Sequence, residues 1–384
     1  MNKNIPYGRQ YIDQSDIDAV VETLQHDFLT QGPKVVEFEQ KFAEYIGSKY
    51  AVAVANGTAA LHLCALALDV KPGETAVTSP ITFAASANCI RYCGGDVVFA
   101  DIDPNSLLID LHKLEEILQQ SNHNIKGVIP VDFAGFPVNL EELRILADKY
   151  NLWIIEDACH APGGFFTDSK GMKQNCGNGN FADLAIFSFH PVKHIACGEG
   201  GMITTNRKDL YEKLLLLRTH GITKDISLMN QNDGGWYYEM QTLGYNYRMP
   251  DILCALGISQ LDKAEAGLKR RRAIAEKYDL AFKNTQVQTI LPPSDGGHAY
   301  HLYVIKVKNR KEVYDKLKSV GIHAQVHYVP VHKHPYYKNL YNKNWDVPQS
   351  ELYYEQCLSI PMYPTLTNEE QDFVISNVLA FAHA

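Results

Sequence analysis

The chain has 384 residues, of which 46% are hydrophobic and 21% are charged, and its formal net charge at pH 7 is −8. These values are typical of a soluble globular protein with a sizeable core, and the acidic balance argues against a broad basic surface for nucleic acid. The 8 cysteines include no C-x-x-C pair, so we expect reduced thiols rather than a disulfide framework. The segment 1–6 has no apolar stretch of the kind found in secretory signals. We therefore predict a cytoplasmic protein with no nucleic-acid or membrane partner.

Two amphipathic helices are predicted first, followed by short apolar strands that alternate with further helices. The predicted helices are 13–26, about 33–45, 59–68, 82–92, 110–119 and 140–150. The predicted strands are 51–55, 75–79, 97–100, 128–131, 152–155 and 184–187, with a further one at 202–205. Strands that alternate with helices in this way predict a mostly parallel central sheet covered by helices on both faces.

The pattern changes beyond residue 250. A long helix is predicted from Pro250 past Arg272, then a strand at 299–307, a helix at 311–320 and a strand at 324–328. The basic cluster 269–272 lies in the long helix, where a solvent-facing side explains it better than a nucleic-acid patch. We therefore predict two domains. They are a large domain at 1–261 and a smaller α+β domain at 262–384.

The first motif that indicates chemistry is the turn Asn56-Gly57-Thr58, where a strand ends and a helix begins. A helix N-terminus with free N–H groups and a hydroxyl beside it suits a phosphate, although a plain turn and N-cap explains the same three residues. The chain has no Walker motif, and the pairs Gly177/Gly179 and Gly198/Gly200 do not complete a dinucleotide fingerprint. Nucleoside triphosphate and nicotinamide cofactors are therefore disfavoured.

The second motif is Glu156-Asp157, at the carboxyl end of an apolar strand, where ligands bind in open α/β sheets. An aspartate beside a pyridine nitrogen keeps that nitrogen protonated and makes the ring an electron sink. One of the two acids is expected to cap the next segment instead. His160 follows closely and is either a cofactor contact or an ordinary hydrogen-bonded histidine.

The third motif places Ser188 and Lys193 between a buried strand and the glycine cluster 198–201. A lysine in this position is costly as a cation, so we expect a lowered pKa and a neutral amine that can form a Schiff base with an aldehyde. The freed amine can then move a proton. Ser188 either contacts a phosphate or bonds to its own backbone. Alone, the lysine is weak evidence, but with Asp157 and the Asn56 turn it predicts a pyridoxal 5′-phosphate site.

The motifs together resemble a known family over nearly the whole chain. Their order is N-G-T-A-A-L, E-D-A-C-H-A, S-F-H-P-V-K-H, G-E-G-G and G-Y-N-Y-R-M-P-D, as in the sugar aminotransferases of the DegT/DnrJ/EryC1/StrS family. The resemblance implies the α/β architecture of aspartate aminotransferase (fold type I). It also implies pyridoxal 5′-phosphate as cofactor and a homodimer whose active sites are shared between subunits.

The resemblance also implies a role for individual residues. Lys193 and Asp157 are expected to be catalytic, as the Schiff-base lysine and the partner of the pyridine nitrogen. His160 is expected to contact the phenolic oxygen, and Phe83 to stack on the ring. The residues expected to hold the phosphate are Gly57, Thr58, Ala59 and Ser188, with Asn246 from the other subunit.

Within the family, the segments 5–10, 29–33 and 327–332 are most similar to members that serve pseudaminic acid biosynthesis. The similarity implies transfer of an amino group from L-glutamate to C4 of UDP-2-acetamido-2,6-dideoxy-β-L-arabino-hex-4-ulose. The product would be UDP-4-amino-4,6-dideoxy-N-acetyl-β-L-altrosamine. The expected substrate-binding residues are Tyr7, Thr30, Arg248, His327 and Tyr328. Another nucleotide 4-keto-6-deoxy sugar (the UDP-D-xylo epimer, or a dTDP- or GDP-linked one) and a non-catalytic cofactor-binding regulator stay open as alternatives.

Two features of the C-terminal part bear on ligands. The histidines between 323 and 334 fit no metal-site spacing, so we predict no metal. The only arginine after Arg272 is Arg310, in a polar turn, so a small-domain arginine for an amino-acid carboxylate is not evident. This favours a substrate held by other groups, such as a nucleotide sugar, and leaves Arg248 as the candidate for glutamate.

Overall fold

A central sheet and a smaller antiparallel sheet organise the structure, a computed structural model that describes residues 4–26, 28–120, 123–290 and 295–382. Residues 1–3, part of the segment judged to lack a secretory signal, lie outside the described residues. In chain order the strands are β1 (Tyr50–Val54), β2 (Thr75–Thr78), β3 (Asp96–Phe99), β4 (Ile125–Ile129), β5 (Trp153–Asp157), β6 (Phe165–Thr167), β7 (Lys173–Asn175), β8 (Leu184–Ser188), β9 (Gly201–Thr205), β10 (Ile222–Thr223), β11 (Glu239–Met240), β12 (Gln288–Thr289), β13 (Tyr303–Lys306) and β14 (Cys357–Ile360).

Helices precede, separate and follow these strands. They are α1 (Gln14–His26), α2 (Pro33–Ile46), α3 (Gly57–Ala67), α4 (Ala85–Tyr92), α5 (Leu111–Gln120), α6 (Leu140–Lys149), α7 (Lys208–Arg218), α8 (Asp251–Asp262), α9 (Ala264–Phe282), α10 (Arg310–Ser319), α11 (Pro335–Tyr341), α12 (Pro348–Gln356) and α13 (Asn368–Ala382). Among the described residues, no helix combines the length and the apolar character needed to cross a membrane.

The central sheet has the strand order β1-β9-β8-β5-β4-β2-β3. The strands β3, β2, β4, β5 and β8 pair in parallel, and β9 runs antiparallel to both of its neighbours, β8 and β1. The predicted mostly parallel sheet is therefore confirmed. The helices predicted between its strands are present as well, with bounds that shift by a few residues.

Both faces of the sheet are buried, because successive side chains of a strand point to opposite sides. Val52 and Val54 of β1 join a cluster with residues of α3, α4 and α7. Ala51 and Ala53 of the same strand join a different cluster, with α2 and α8. The helices α5 and α6 cover the part of the sheet that contains β2 and β4. The ends of the strands are therefore the place where ligands can reach the sheet.

The C-terminal part builds its own core. The small sheet β12-β13-β14 packs with α9, α10 and α13 around Tyr278, Leu317 and Val374. Ile5, near the start of the chain, belongs to the same core and pairs with Ile322. The boundary between domains at 261 and 262 stays a prediction.

Three predictions for this C-terminal part are wrong. The helix from Pro250 is not continuous: α8 ends at Asp262, where the N–H of Lys263 bonds to the carbonyl of Gln260, and α9 begins at Ala264. The strand predicted at 299–307 is shorter, because Tyr300 has a positive φ of 51° that a strand cannot contain.

The third wrong prediction is a strand at 324–328, where only Gln325 pairs, with Ser359.

The basic cluster 269–272 also differs from its prediction. Arg271 is buried, and its guanidinium donates to the carbonyls of Tyr300, His301 and Met362 at 3.0–3.2 Å. It therefore cross-links α9 to the chain on either side of the small sheet rather than facing solvent.

A buried carboxylate, that of Asp101 just after β3, ties the first turn of α12 to the central sheet. It accepts the backbone N–H groups of Gln349 and Ser350 at 2.8 Å and the Ser350 hydroxyl at 2.6 Å. We expect Asp101→Ala to lower the free energy of unfolding by about 2–4 kcal/mol, since buried donors lose a charged acceptor. Denaturant unfolding measures this change. The exposed Glu44→Ala is the matched control, and an equal effect of both substitutions would contradict the account.

Candidate active site

A cavity of about 430 Å³ opens at the carboxyl ends of β5 and β8. The predicted site residues that line it are Tyr7, Gly57, Thr58, Phe83, Asp157, His160, Ser188, Lys193, His327 and Tyr328. Ala59, Thr30, Asn246 and Arg248 do not line it. The chain thus brings together residues that are up to about three hundred positions apart in sequence, because parallel strands end at one edge of the sheet.

One end of the cavity is built by the N-terminus of α3. The side-chain oxygen of Asn56 accepts the N–H of Ala59 at 2.8 Å, and the backbone carbonyl of Asn56 accepts the N–H of Ala60 at 3.0 Å. The N–H groups of Gly57 and Thr58 find no acceptor within the described residues. A helix N-terminus with two free N–H groups and a hydroxyl fits a phosphate group.

Ser188 faces this turn from β8. A Cβ at position 57 would lie 3.0 Å from the Ser188 Cβ, so glycine allows the close approach. The Ser188 hydroxyl accepts the N–H of His190 at 3.4 Å, the local backbone contact that was one of its two expected roles. The hydroxyl still lines the cavity next to Gly57 and Thr58. It therefore adds a further donor to the set that suits a phosphate.

The buried carboxylate of Asp157 lies at the centre of the cavity wall. Its Oδ2 accepts the Ser86 hydroxyl at 2.7 Å, and its Oδ1 accepts the N–H of Cys159 at 3.2 Å. No lysine, arginine or histidine of the described residues forms an ion pair with it. A carboxylate in this state can accept a further N–H, as a protonated pyridine nitrogen requires.

Ser86 is a residue that the sequence analysis missed. It lies 71 positions from Asp157 and also contacts the Thr82 hydroxyl at 2.8 Å. A serine at the start of a helix gives no sign of a distant carboxylate partner. Its only signal in the sequence is its position three residues after Phe83.

His160 is a buried residue of the cavity wall and carries its proton on Nε2. Its Nδ1 accepts the N–H of Ala134 at 3.2 Å, so Nε2 is the protonated nitrogen of the neutral ring, 3.2 Å from the hydroxyl of Tyr328. Burial, followed by the charge of Lys193, lowers the pKa of His160 well below its ordinary value. His160 and Tyr328 therefore form a neutral donor pair, and the Tyr328 hydroxyl proton is free to point into the cavity.

Lys193 follows β8 in a turn closed by the bond from its N–H to the carbonyl of His190 at 2.8 Å. Burial lowers the pKa of its amine, and the nearby Cys159 and Asp157 oppose this shift. The direction agrees with the expectation from the sequence. The shift favours the neutral amine, the form that attacks an aldehyde.

Three of the four predicted residues outside the cavity are exposed or half-buried, and Ala59 is buried in α3. Thr30 and Asn246 are exposed, Arg248 is half-buried beside the end of β1, and the N–H of Ala59 is used by the helix cap. Large apolar side chains near Thr30 and Asn246 are exposed too, at 71% for Phe28 and 75% for Leu243. A single chain therefore does not complete the site predicted from the sequence.

No arginine of the described residues lines the cavity. Arg310 begins α10 and bonds to the carbonyl of Tyr354, while stacking on the ring of the same tyrosine. Glu156, next to Asp157, points the other way and accepts the N–H of Gly177 at 2.9 and 3.0 Å. It is thus the acid of the pair that caps a following segment.

A second group of potential ligand atoms lies behind the site. Asp132, Glu156 and Cys176 are buried, with one atom of each within 4.8 Å of the others. Burial raises the pKa of Asp132 to about 7 and that of Glu156 well above its ordinary value. Burial therefore favours the protonated, uncharged forms of both acids.

The sequence profile of the DegT/DnrJ/EryC1/StrS aminotransferase family matches residues 10–379. The chain belongs to this family. It is 40% identical over 376 residues to the UDP-4-amino-4,6-dideoxy-N-acetyl-beta-L-altrosamine transaminase of Campylobacter jejuni, with 96% of this chain and 95% of that protein covered. It is 39% identical to the spore coat polysaccharide biosynthesis protein SpsC of Bacillus subtilis, with 98% and 97% covered.

Solved structures agree with this assignment. PseC of Helicobacter pylori, an aminotransferase involved in the biosynthesis of pseudoaminic acid, superimposes with a TM-score of 0.89 at 31% identity and covers 99% of this chain and 100% of its own. The PLP-form of Spr1654 from Streptococcus pneumoniae gives 0.88 at 28% identity, with 99% of both chains covered. The aminotransferase thus has the fold-type-I architecture and uses pyridoxal phosphate. The predictions of family, fold class, enzyme class and cofactor are confirmed.

The lowered pKa of Lys193 leads to a direct chemical prediction. We expect borohydride reduction of the aminotransferase with pyridoxal phosphate near neutral pH to attach the cofactor to Lys193, because its amine lines the cavity and burial lowers its pKa. Peptide mass spectrometry locates the modified lysine. Lys193→Ala is the control that should lose the modification, and attachment mainly at exposed lysines would contradict the assignment.

Proposed function

We propose that this aminotransferase transfers the amino group of L-glutamate to C4 of UDP-2-acetamido-2,6-dideoxy-β-L-arabino-hex-4-ulose. The product is UDP-4-amino-4,6-dideoxy-N-acetyl-β-L-altrosamine, an intermediate of pseudaminic acid biosynthesis. The observation that carries the reaction type is the single cavity that holds Lys193, Asp157 and the phosphate-type turn at Gly57. The similarity to the Campylobacter jejuni transaminase over almost the entire chain supports the choice of sugar.

The proposed roles of the cofactor contacts follow from the groups that are free in the cavity. Bound pyridoxal phosphate supplies an electron sink for the carbon that loses its proton. Asp157 would accept the N–H of the pyridine ring, and Phe83 would cover the ring face. His160 would turn its Nε2–H from the Tyr328 hydroxyl to the phenolic oxygen. The N–H groups of Gly57 and Thr58 and the hydroxyl of Ser188 bind the phosphate. Phe83 is 61% exposed in the single chain, so its ring is available for this contact.

Lys193 holds and moves the proton. Its amine lies in the cavity near Asp157 and the histidines His160 and His301, where burial favours the neutral form. A neutral amine in this position takes the proton from the carbon of the amino donor and returns a proton to the carbon of the acceptor. Because one group serves both carbon positions, the same side chain acts in both halves of the reaction.

The substrate side of the cavity is formed by Tyr7, His327 and Tyr328. The Nδ1 of His327 is 2.8 Å from the Ser359 hydroxyl, and the ring lies 5.2 Å from that of Tyr7. These side chains present hydroxyl and imidazole groups rather than guanidinium groups. Such groups match the hydroxyl and acetamido substituents of a sugar ring, and a missing partner costs much affinity, so they can select between epimers.

The remaining predicted residues fit a shared site. Thr30, Asn246 and Arg248 are proposed to reach the cavity of the other subunit in a homodimer. Support comes from the exposed apolar surface around them, since contiguous exposed apolar residues mark an interface. The cytoplasmic location and the division at 261 and 262 belong to the same proposal.

The acceptor can be tested with an isotope. We expect the holoenzyme to transfer nitrogen from 15N-labelled L-glutamate to the UDP-linked L-arabino keto sugar, and to react much less with the D-xylo epimer, because the two differ in a stereocentre that the cavity contacts. Mass spectrometry of the sugar product measures the label.

Each other outcome has a defined meaning. Preference for the D-xylo epimer would contradict the proposed substrate and keep the reaction type. An absence of label in either sugar, together with no reaction of any dTDP- or GDP-linked keto sugar, would contradict the enzymatic proposal and support a non-catalytic role. Lys193→Ala is the control for label that does not depend on the enzyme.

A further inference from the structure

His301 is a cavity residue to which the sequence analysis assigned no role. It is 4% exposed, lines the same cavity as Lys193, and its ring centroid lies 4.3 Å from that of His160. On its other side the ring of His194 lies 5.9 Å away. His301 thus belongs to a group of three neighbouring histidines, and it shares the cavity wall with His160 and Lys193.

The position of His301 is fixed by its backbone. Arg271 donates to the carbonyl of His301 at 3.2 Å, and the N–H of Leu302 bonds to the carbonyl of Ala134 at 3.2 Å. Tyr300, just before it, is held at a positive φ of 51°, a conformation that costs energy in a residue with a side chain. The surrounding bonds therefore hold the chain in a conformation that directs the imidazole to the cavity, and such strain is concentrated at functional sites.

The imidazole of His301 has unused hydrogen-bonding capacity. Within the described parts of the chain neither ring nitrogen has a hydrogen-bond partner; Nδ1 is fully enclosed, so Nε2 is the nitrogen that a ligand in the cavity can reach. Burial, then the charge of Lys193, lowers the pKa of His301 well below its ordinary value. A buried polar group without a partner is costly unless a ligand supplies one. The neutral ring therefore offers an N–H donor to a ligand that carries an acceptor.

The cavity needs such a donor because the amino donor carries a carboxylate. The α-carboxylate of an amino acid is bonded to the same carbon as the amino group, so it must lie within a few ångströms of the Lys193 amine when that amine acts. No arginine of the described residues lines the cavity of the single chain, and Arg248 enters it only from the other subunit of the proposed homodimer. His301 lies beside Lys193 and combines a free N–H with a fixed position.

We propose that His301 binds the α-carboxylate of the amino donor. This inference rests on the proposed function, because it assigns a residue to the glutamate half of that reaction. When the carboxylate binds beside the imidazole, it accepts a charge-assisted hydrogen bond from His301. The second substrate is a sugar without a carboxylate, so it does not make this bond at this position. His301 therefore distinguishes the two halves of the reaction.

The test compares two amines that differ in the carboxylate. Conversion of the bound cofactor from its aldehyde to its amine form is followed by absorbance, with either L-glutamate or the UDP-4-amino sugar as amine. In His301→Phe, which keeps a ring against His160 and removes both nitrogens, we expect the half-saturating glutamate concentration to rise about tenfold or more. The reaction with the amino sugar should change by less than about twofold. His301→Asn retains an N–H donor and should recover part of the glutamate affinity.

Binding without turnover gives an independent measurement. Calorimetry with maleate, an unreactive dicarboxylate, should show weaker binding to the His301→Phe holoenzyme by a similar factor. His332→Phe is the matched control, because His332 is a buried histidine bonded to Glu351 outside the cavity and its loss should leave maleate binding unchanged.

Two results would overturn the inference. They are unchanged glutamate and maleate affinities in His301→Phe, or equal loss with both amines, which indicates a purely structural role. A wild-type enzyme that reacts with glutamate and not with the amino sugar would contradict the proposed acceptor instead. The maleate measurement then still decides the role of His301.

Discussion

The register between four neighbouring strands positions Asp157, Ser188 and the turn at Gly57 of this aminotransferase. Asp157 of β5 is level with Ile186 of β8, so the ends of both strands reach the same edge and Ser188 extends two residues beyond. Ser188 in turn pairs with Gly201 of β9, which pairs with Val54 of β1. A Cβ at Gly201 would lie 2.7 Å from the Asn56 backbone, so only glycine lets the phosphate-type turn approach. A shift of one residue in any pairing would move its side chain to the other face.

Charge is distributed unevenly among the residues of the cavity. Asp157 is a buried acid without an ion-pair partner in the described structure, whereas burial favours the neutral forms of Lys193, His160 and His301. Burial thus favours the forms of the amine and the imidazoles that accept protons or donate hydrogen bonds without a charge. The Asp157 carboxylate is left to pair with a positively charged ring nitrogen. This combination fits pyridoxal phosphate better than any single motif does, because each group supplies a different part of the chemistry.

Sequence reasoning succeeded where the signal is local. Apolar periodicity located the strands of the central sheet, and the motifs around Gly57, Asp157 and Lys193 follow strand ends, which the fold brings together. It failed where a partner is distant: the bond from Ser86 to Asp157 spans 71 positions, and nothing near His301 indicates a cavity. Arg271 was misplaced because its basic neighbours suggest a solvated face, while its three carbonyl acceptors come from other segments.

The central claim is that one cavity holds the cofactor between Lys193, Asp157 and the turn at Gly57. A crystal structure of the protein with pyridoxal phosphate tests it most directly. The account predicts a covalent bond to the Lys193 amine, the pyridine nitrogen about 2.6–3.2 Å from the Asp157 carboxylate, and the phosphate on the N–H groups of Gly57 and Thr58. A phosphate bound elsewhere, or an Asp157 carboxylate that bonds only to Ser86 and Cys159, would contradict it.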